Sequence, residues 1–425
     1  MLKIIKASNR RAIASLLTHT RTRSAATERR VAKIVGDVRR KGDIALTKYV
    51  RTLDCLESPL EITAEEIRDG ASRVDPKVQK ALRTATKHIK RVARKQLPRG
   101  WQTTVAPGIT VEQRVLPLDR VGCYVPGGRF PLPSSLLMTV IPAQVAGVQE
   151  IVVACPRPAP IVLAAALEAG ITRLFRMGGA QAIAAMAYGT ETVPRVDKIV
   201  GPGNRWVAAA KALVSADCGI DFYAGPTEIV IVATRGPAAW IAADLIAQAE
   251  HDPDSRAILI TPNRALAVRV AAAVDVQLHV SSSVARRALK NRGGIIITAT
   301  AAEAVALANA SAAEHLVVDS ESLAKQVQCA GSLFIGPWSA QVAGDYAIGS
   351  NHVLPTAGTA RGRGGLSTAD FVRQLTVQRM TQQGLRSIAD TVVTLARAEG
   401  LDAHAASIDI RRQSQSVRPR TGTLK

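Results

Sequence analysis

The run Gln248-Ala249-Glu250-His251-Asp252 closes an Ala-rich segment that begins near Pro237. Ile241 and Leu245 recur there at helical spacing, while Asp244, Gln248 and His251 stand at i, i+4 and i+7, neighbours on a 3.6-residue helix. A polar stripe on so apolar a helix needs partners, because buried polar groups cost free energy unless paired. A metal, a substrate or a hydrogen-bond network would serve. An ordinary surface helix end is the competing reading, since Asp252-Pro253 stops a helix there. Of the seven histidines, His251, His315, His352 and His404 stand in polar settings: His315 follows Glu314 and His352 follows Asn351. An imidazole beside a carboxylate suits proton transfer near neutral pH. Gly344-Asp345-Tyr346 adds a further carboxylate upstream of His352.

The elements that must position these groups follow a repeated grammar. From Arg120, short apolar strands at Val121 to Val125, Ile151 to Ala154, Arg173 to Arg176 and Lys198 to Val200 each lead into a turn and an Ala-rich helix. A second series comprises Glu228 to Ala233, Ala257 to Thr261, Gly294 to Thr298, His315 to Asp319 and Ser332 to Ile335. Strands alternating with helices predict two α/β units of similar plan, each a parallel sheet covered on both faces. Ligands are expected at the carboxyl ends of such strands. There the glycine turns Tyr124-Val-Pro-Gly-Gly128, Gly178-Gly-Ala-Gln181 and Gly201-Pro-Gly-Asn204 each precede a helix N-terminus that favours anions. None is a GxGxxG fingerprint, yet three at equivalent strand ends point to a dinucleotide crevice. The first hundred residues read as helices, with Val31, Ile34, Val35 and Val38 on one stripe and a break at Gly42-Asp43. After Thr368 the pattern is again helical, ending in an Arg, Ser, Gln and Pro tail expected to be disordered.

At 425 residues and 47% hydrophobic composition the chain can bury more than one core. No apolar run reaches a membrane span, and the segment before Arg11 is too short and too charged for a secretory signal, so a cytoplasmic location is expected. Five cysteines without a CxxC pair fit a reducing compartment. The net charge of +21 lies at the two ends: residues 1 to 100 hold 25 Lys+Arg against 10 Asp+Glu, residues 361 to 425 hold 11 against 5, and the motif-bearing middle is balanced. With 3% aromatic residues and no basic groove interleaved with aromatics, specific nucleic-acid binding is not expected, and the basic helix around Lys87 to Lys95 reads as a solvated face. Cys123, inside an apolar strand and away from basic residues, reads as structural rather than as a thiohemiacetal nucleophile.

The ordered strings Val121-Gly-Cys-Tyr-Val-Pro-Gly-Gly128, Gly178-Gly-Ala-Gln-Ala-Ile183, Lys198-Ile-Val-Gly-Pro-Gly-Asn204, Ala224-Gly-Pro-Thr-Glu228, Ala247-Gln-Ala-Glu-His-Asp252, Glu314-His-Leu316, Gly344-Asp-Tyr346, Asn351-His-Val-Leu-Pro-Thr356 and Glu399-Gly-Leu-Asp-Ala-His404 resemble the histidinol dehydrogenase family. The resemblance runs from about residue 28 to about residue 412. It implies oxidation of L-histidinol to L-histidine in two NAD-dependent steps through an enzyme-held aldehyde, with one zinc per site. Carried over, it makes Gln248, His251, Asp345 and His404 the zinc ligands, the last from a partner subunit of a homodimer with shared sites. Glu314 and His315 become the bases, with Thr227, His352 and Glu399 joining the zinc ligands and His315 around the substrate, and with Tyr124, Gln181 and Asn204 at the nicotinamide cofactor. The fold implied is two similar incomplete Rossmann-like domains with helical N- and C-terminal extensions. Its expected division is an arm at 1–27, a first domain at 28–123 plus 228–366 with zinc and bases, a second at 124–227 on the NAD side, and a dimerisation segment at 367–425.

Three departures stand out: Ala313 where the family usually has Pro, Thr227 for Ser, and Arg129-Phe130 after the Gly-Gly turn. An Arg-aromatic pair occurs at that last place in relatives that oxidise other polar alcohols. A paralogue acting on another amino or sulfonated alcohol, such as sulfopropanediol, is therefore the alternative, and Glu399 argues for histidinol. A nucleic-acid-binding protein on a degenerate enzyme scaffold is disfavoured by the intact ligand and base positions.

Overall fold

A computed structural model describes residues 2–18, 24–128, 130–223, 225–279 and 283–413. The chain divides into two units, residues 1–97 with 118–371 and residues 98–117 with 372–425. Arg129 and most of the basic C-terminal tail lie outside the described residues.

The larger unit contains two six-stranded sheets. The first runs Ile4–Lys6, Gly293–Ile297, Arg256–Thr261, Glu228–Val232, His315–Val318, Ser332–Ile335, all parallel. Its central strand, Glu-Ile-Val-Ile-Val, is apolar at successive positions because both faces are covered. Ile229 and Ile231 pack with Ile241 and Leu245 of helix Ala238–Ala249 and with Leu266 and Val270 of helix Arg264–Leu278. Val230 and Val232 face the other way, into Val305 and Ala308 of helix Ala301–Ser311.

The second sheet runs Glu61–Ile62, Arg173–Phe175, Glu150–Ala154, Arg120–Tyr124, Lys198–Val200, Gly219–Ile220. It is parallel except at the edge strand Glu61–Ile62. Both sheets share one order: the first strand of each series is central, the next two step to one side, the last two to the other, and an earlier segment adds an edge strand. Each is thus a partial doubly wound sheet, as expected, with a switch point between its first and fourth strands.

The sheets apportion the chain differently from the expected boundaries. Ile4–Lys6, placed in an N-terminal arm, is a strand of the first sheet. Helix Ala25–Leu53, placed in the first domain, buries Val31, Val35 and Val38 against Phe175, Ile183 and Ile199 of the second. Its expected break is a kink at Gly42, which has φ of 49°. A three-residue strand is too short to show a period of two, so the arm carried no readable signal.

The smaller unit corrects one further expectation. Trp101–Ala106, Ile109–Pro117 and Val372–Met380 form an antiparallel sheet where helix was expected after Thr368. Val372–Met380 is largely exposed and mixes Arg, Gln and Thr with apolar residues, so it lacks the burial pattern that marks a strand in sequence. Helices Gln382–Ala398 and Asp402–Gln413 follow.

Candidate active site

In the first sheet the polar residues gather at the amino ends of the strands, not at the carboxyl ends where ligands were expected. His315 opens its strand beside Ile229, and Thr227 and Glu228 lie at the start of the central strand. The crossover helix Ala238–Ala249 runs back toward the level at which its strand began, so its last turn brings Gln248 to this end. The helix stops at Ala249 with Glu250 as its cap, so it carries Asp244 and Gln248 of the expected stripe but ends two residues before His251. Asp244 is accordingly half-buried, Gln248 is buried and His251 is exposed beyond the helix end.

Glu314 and His315 are both buried. One Glu314 carboxylate oxygen accepts from the Thr227 hydroxyl at 2.5 Å and from the Glu228 amide at 2.8 Å. Gln248 donates to the same Thr227 hydroxyl and accepts from the Gln341 amide at 2.8 Å. Nδ1–H of His315 donates to the Glu228 carbonyl at 3.3 Å, which fixes the tautomer and leaves Nε2 as the basic nitrogen, 3.5 Å from Asp345. The Asp345 carbonyl in turn accepts from Nδ1–H of His352 at 2.9 Å, and Nε2 of His352 meets the Ser135 hydroxyl at 3.3 Å. Thr227, Gln248, Glu314, His315, Asp345 and His352 therefore form one connected cluster.

Burial sets the proton chemistry of this cluster. Removed from water, the Glu314 carboxyl is pushed up to about 7, although His315, Thr227 and the Glu228 amide favour its anion. Burial works against protonation of His315 as well, but the carboxylates of Glu314 and Asp345 outweigh it and the net displacement is upward. His352 goes the other way, its pKa lowered by burial. A carboxyl raised to about 7 and an imidazole whose pKa is raised by neighbouring carboxylates, 3.7 Å apart, are matched to general acid–base work.

The region is also rich in acceptors. The Gln341 carbonyl oxygen is buried without a partner, and the Asp345 and Glu314 carboxylates converge on the single imidazole of His315. That imbalance suits a cation, and a neutral amide oxygen, a carboxylate and imidazoles are donors zinc accepts. Among the described residues, no three His, Cys, Asp or Glu side chains come together as a metal site. Glu399 caps helix Gln382–Ala398 and His404 is exposed on helix Asp402–Gln413, both in the smaller unit.

The second sheet carries its cavity at the carboxyl ends, as expected. A cavity of about 530 Å³ is lined by Tyr124, Gly127, Gly128, Gln181, Asn204 and Trp206. The Gln181 carbonyl oxygen is buried and unpartnered, an acceptor left for a ligand, while its amide donates to Asp54 at 3.0 Å. Asp54 also accepts from the Gly178 N–H at 2.9 Å, and the Tyr124 hydroxyl accepts from Gly179 at 3.2 Å. Two amide donors at this helix start are thus taken by protein groups, contrary to the expectation of an anion there. Asn204 spends its side-chain oxygen capping helix Arg205–Val214, on the amides of Trp206 and Val207. Cys123 is fully buried with its thiol pushed up to about 12 by burial, as fits a structural residue.

Sequence reasoning missed four groups. Glu228 supports Glu314 and pairs with buried Arg256; Asp54 comes from a distant helix end; Ser135 holds His352. Gln341 had one faint signal, a polar side chain four residues before Asp345 on the short helix Gln341–Tyr346.

A family model described as histidinol dehydrogenase matches residues 17–412. Histidinol dehydrogenase from Methanothermobacter thermautotrophicus is 46% identical over 391 residues, covering 89% of this chain and 91% of that protein. The enzyme of the same name from Thermus thermophilus is 48% identical over 389 residues, covering 90% and 94%. Among solved structures, histidinol dehydrogenase from Elizabethkingia anophelis superposes with a TM-score of 0.92 at 31% identity, covering 96% of this chain and 98% of that one.

Proposed function

The chain belongs to the histidinol dehydrogenase family, and on that premise we propose that it oxidises L-histidinol to L-histidine, by way of an aldehyde held on the enzyme. The observation that carries this reading is the buried pair Glu314 and His315, 3.7 Å apart in one polar cluster, with the carboxyl raised to about 7. Bound NAD supplies the hydride acceptor, once for the alcohol and once for the aldehyde hydrate. Nε2 of His315 takes the hydroxyl proton as hydride leaves carbon, its tautomer held by the Glu228 carbonyl. The aldehyde then needs water, because hydride leaves only from a tetrahedral hydrate. Glu314, held by Thr227 and the Glu228 amide, accepts a proton from that water as its oxygen adds to the carbonyl carbon. His352, kept neutral by burial and held by Asp345 and Ser135, is a substrate contact, as are Thr227 and Glu399.

Zinc fits the donor set Gln248, His251, Asp345 and His404, where it would orient the substrate and add Lewis acidity. The acceptor-rich cluster supports it, and His404 is assigned to a partner chain of a homodimer. Tyr124, Gln181 and Asn204 take the nicotinamide cofactor, supported by the cavity they line and by the unpartnered Gln181 oxygen. The first sheet thus carries the bases and the second the cofactor. No helix among the described residues is long and apolar enough to cross a membrane, and a cytoplasmic location goes with the biosynthetic role.

The sulfonated-alcohol alternative is not favoured, since the curated relatives at 43–48% identity carry the histidinol dehydrogenase name. The decisive experiment follows NADH formation with L-histidinol and with sulfopropanediol in parallel. NADH with the first alone is expected; NADH with the second alone overturns the reading.

A further inference from the structure

Behind the cofactor cavity lies an ion pair that the chemistry above does not use. Lys211 on helix Arg205–Val214 and Asp221, just past the edge strand Gly219–Ile220, are bonded to each other with side chains 3% and 1% exposed. Burying two charges is costly, and an apolar pair of the same volume commonly serves stability as well or better. The contacts show what the pair does instead. Asp221 accepts from the Gly201 N–H at 2.8 Å and from the Phe222 N–H at 2.6 Å, and Lys211 donates to the Gly201 carbonyl at 3.0 Å.

Both backbone groups of Gly201 are therefore held by the two charges. Gly201 has φ of 113°, and a Cβ there would lie 2.2 Å from the Tyr124 carbonyl oxygen. The pair thus holds Gly201-Pro202-Gly203-Asn204 in a conformation only glycine adopts comfortably, flat against the end of strand Arg120–Tyr124. That juncture is the switch point of the second sheet, and Tyr124 and Asn204 line the cavity from its two sides. The segment is fixed from behind too: Arg363 donates to the Asp221 carbonyl, and its guanidinium lies 4.7 Å over the Phe222 ring.

We propose that Lys211 and Asp221 are positioning residues for the nucleotide, an internal clamp that sets the Gly201–Asn204 loop at the spacing NAD requires. The clamp rests on the reading of Tyr124, Gln181 and Asn204 as the cofactor site. It touches neither the cofactor nor the reacting atoms.

The test is a fluorescence titration of NADH into the full-length protein without histidinol, with thermal unfolding measured on the same samples. The variants are Lys211→Met, Asp221→Asn, the double Lys211→Met/Asp221→Leu, and Asn204→Ala as a lining control. Single variants leave one buried charge unpaired and lower the melting temperature. The double variant removes both charges and regains it, yet its dissociation constant for NADH rises roughly tenfold to a hundredfold, as for a contact misplaced by about 1 Å. A stable double variant that binds NADH like the wild type overturns the clamp. If the double variant does not fold, the folded single variants decide by the same titration. Wild-type binding by Asn204→Ala as well as by the clamp variants would instead overturn the cofactor-site reading beneath it.

Discussion

Glu314 and His315 are adjacent in sequence, yet their hydrogen-bond settings differ, and the duties proposed for them are separable. His315 has its Nδ1 committed to the Glu228 carbonyl and its Nε2 facing Asp345 at 3.5 Å, whereas Glu314 is held by Thr227 and the Glu228 amide. Only the aldehyde stage needs activated water. Glu314→Gln should therefore slow oxidation of supplied histidinal more than oxidation of histidinol to the aldehyde, and His315→Asn should slow both, by the roughly 10²- to 10⁴-fold typical of losing a general base. Histidinal oxidation by Glu314→Gln at the wild-type rate would remove the water-activating role. The proton balance gives a second reading of the same carboxyl. Burial raises its pKa to about 7, and a base works only when deprotonated, so the rate of the aldehyde stage should climb as pH rises through about 7. Rapid-quench rates across that range should lose this limb in Glu314→Gln. A chelator should abolish turnover and zinc restore it, and affinity for the metal should fall in acid as imidazole ligands take protons. Full turnover by protein shown to be metal-free would remove the ligand assignment.

At the scale of elements, the strands of both α/β series were legible almost to the residue, because continuous β-branched runs covered on both faces are the clearest pattern a chain can show. The Rossmann-like repeat followed from them. What escaped was short or exposed: the edge strands Ile4–Lys6, Glu61–Ile62 and Gly219–Ile220, and the antiparallel sheet around Val372–Met380. The site itself divides likewise. Motif strings pointed to Glu314, His315 and Gln248, but the supports Asp54 and Ser135 are brought in by tertiary folding and have no local period. The strand read at His315 to Asp319 already put this pair at an amino end; what the sequence did not show is that the polar groups of the first sheet gather at that end, since this depends on where each crossover helix terminates. Gly201 offers a prediction at this scale. A methyl group there would meet the Tyr124 carbonyl and force φ away from 113°, so Gly201→Ala should cost about 1 to 3 kcal/mol of stability as backbone strain. It should also weaken NADH binding. Chemical denaturation with NADH titration checks both, and an unchanged unfolding free energy would mean that the loop is not held against Tyr124.

At the scale of the whole molecule, the functional unit proposed here is a pair of chains. Of the four residues assigned to zinc, His404 lies on a helix of the smaller unit, and no three metal-binding side chains assemble among the described residues of one chain. Next to Asp345 in the cluster, Tyr346 is 58% exposed. Aromatic surface so open beside a polar site suits cover by another chain. In a homodimer with shared sites, His404 of one chain completes the set Gln248, His251 and Asp345 of the other. His251→Ala and His404→Ala should then each be inactive alone, because every site lacks a ligand. Unfolded and refolded together in equal amounts, about half the dimers should be mixed under random pairing. Each mixed dimer gathers both defects in one site and none in the other, so about a quarter of all sites are intact and activity returns toward that fraction. Mixed dimers, verified by mass, that stay inactive would mean that His404 serves its own chain, and the shared-site assembly would have to be abandoned.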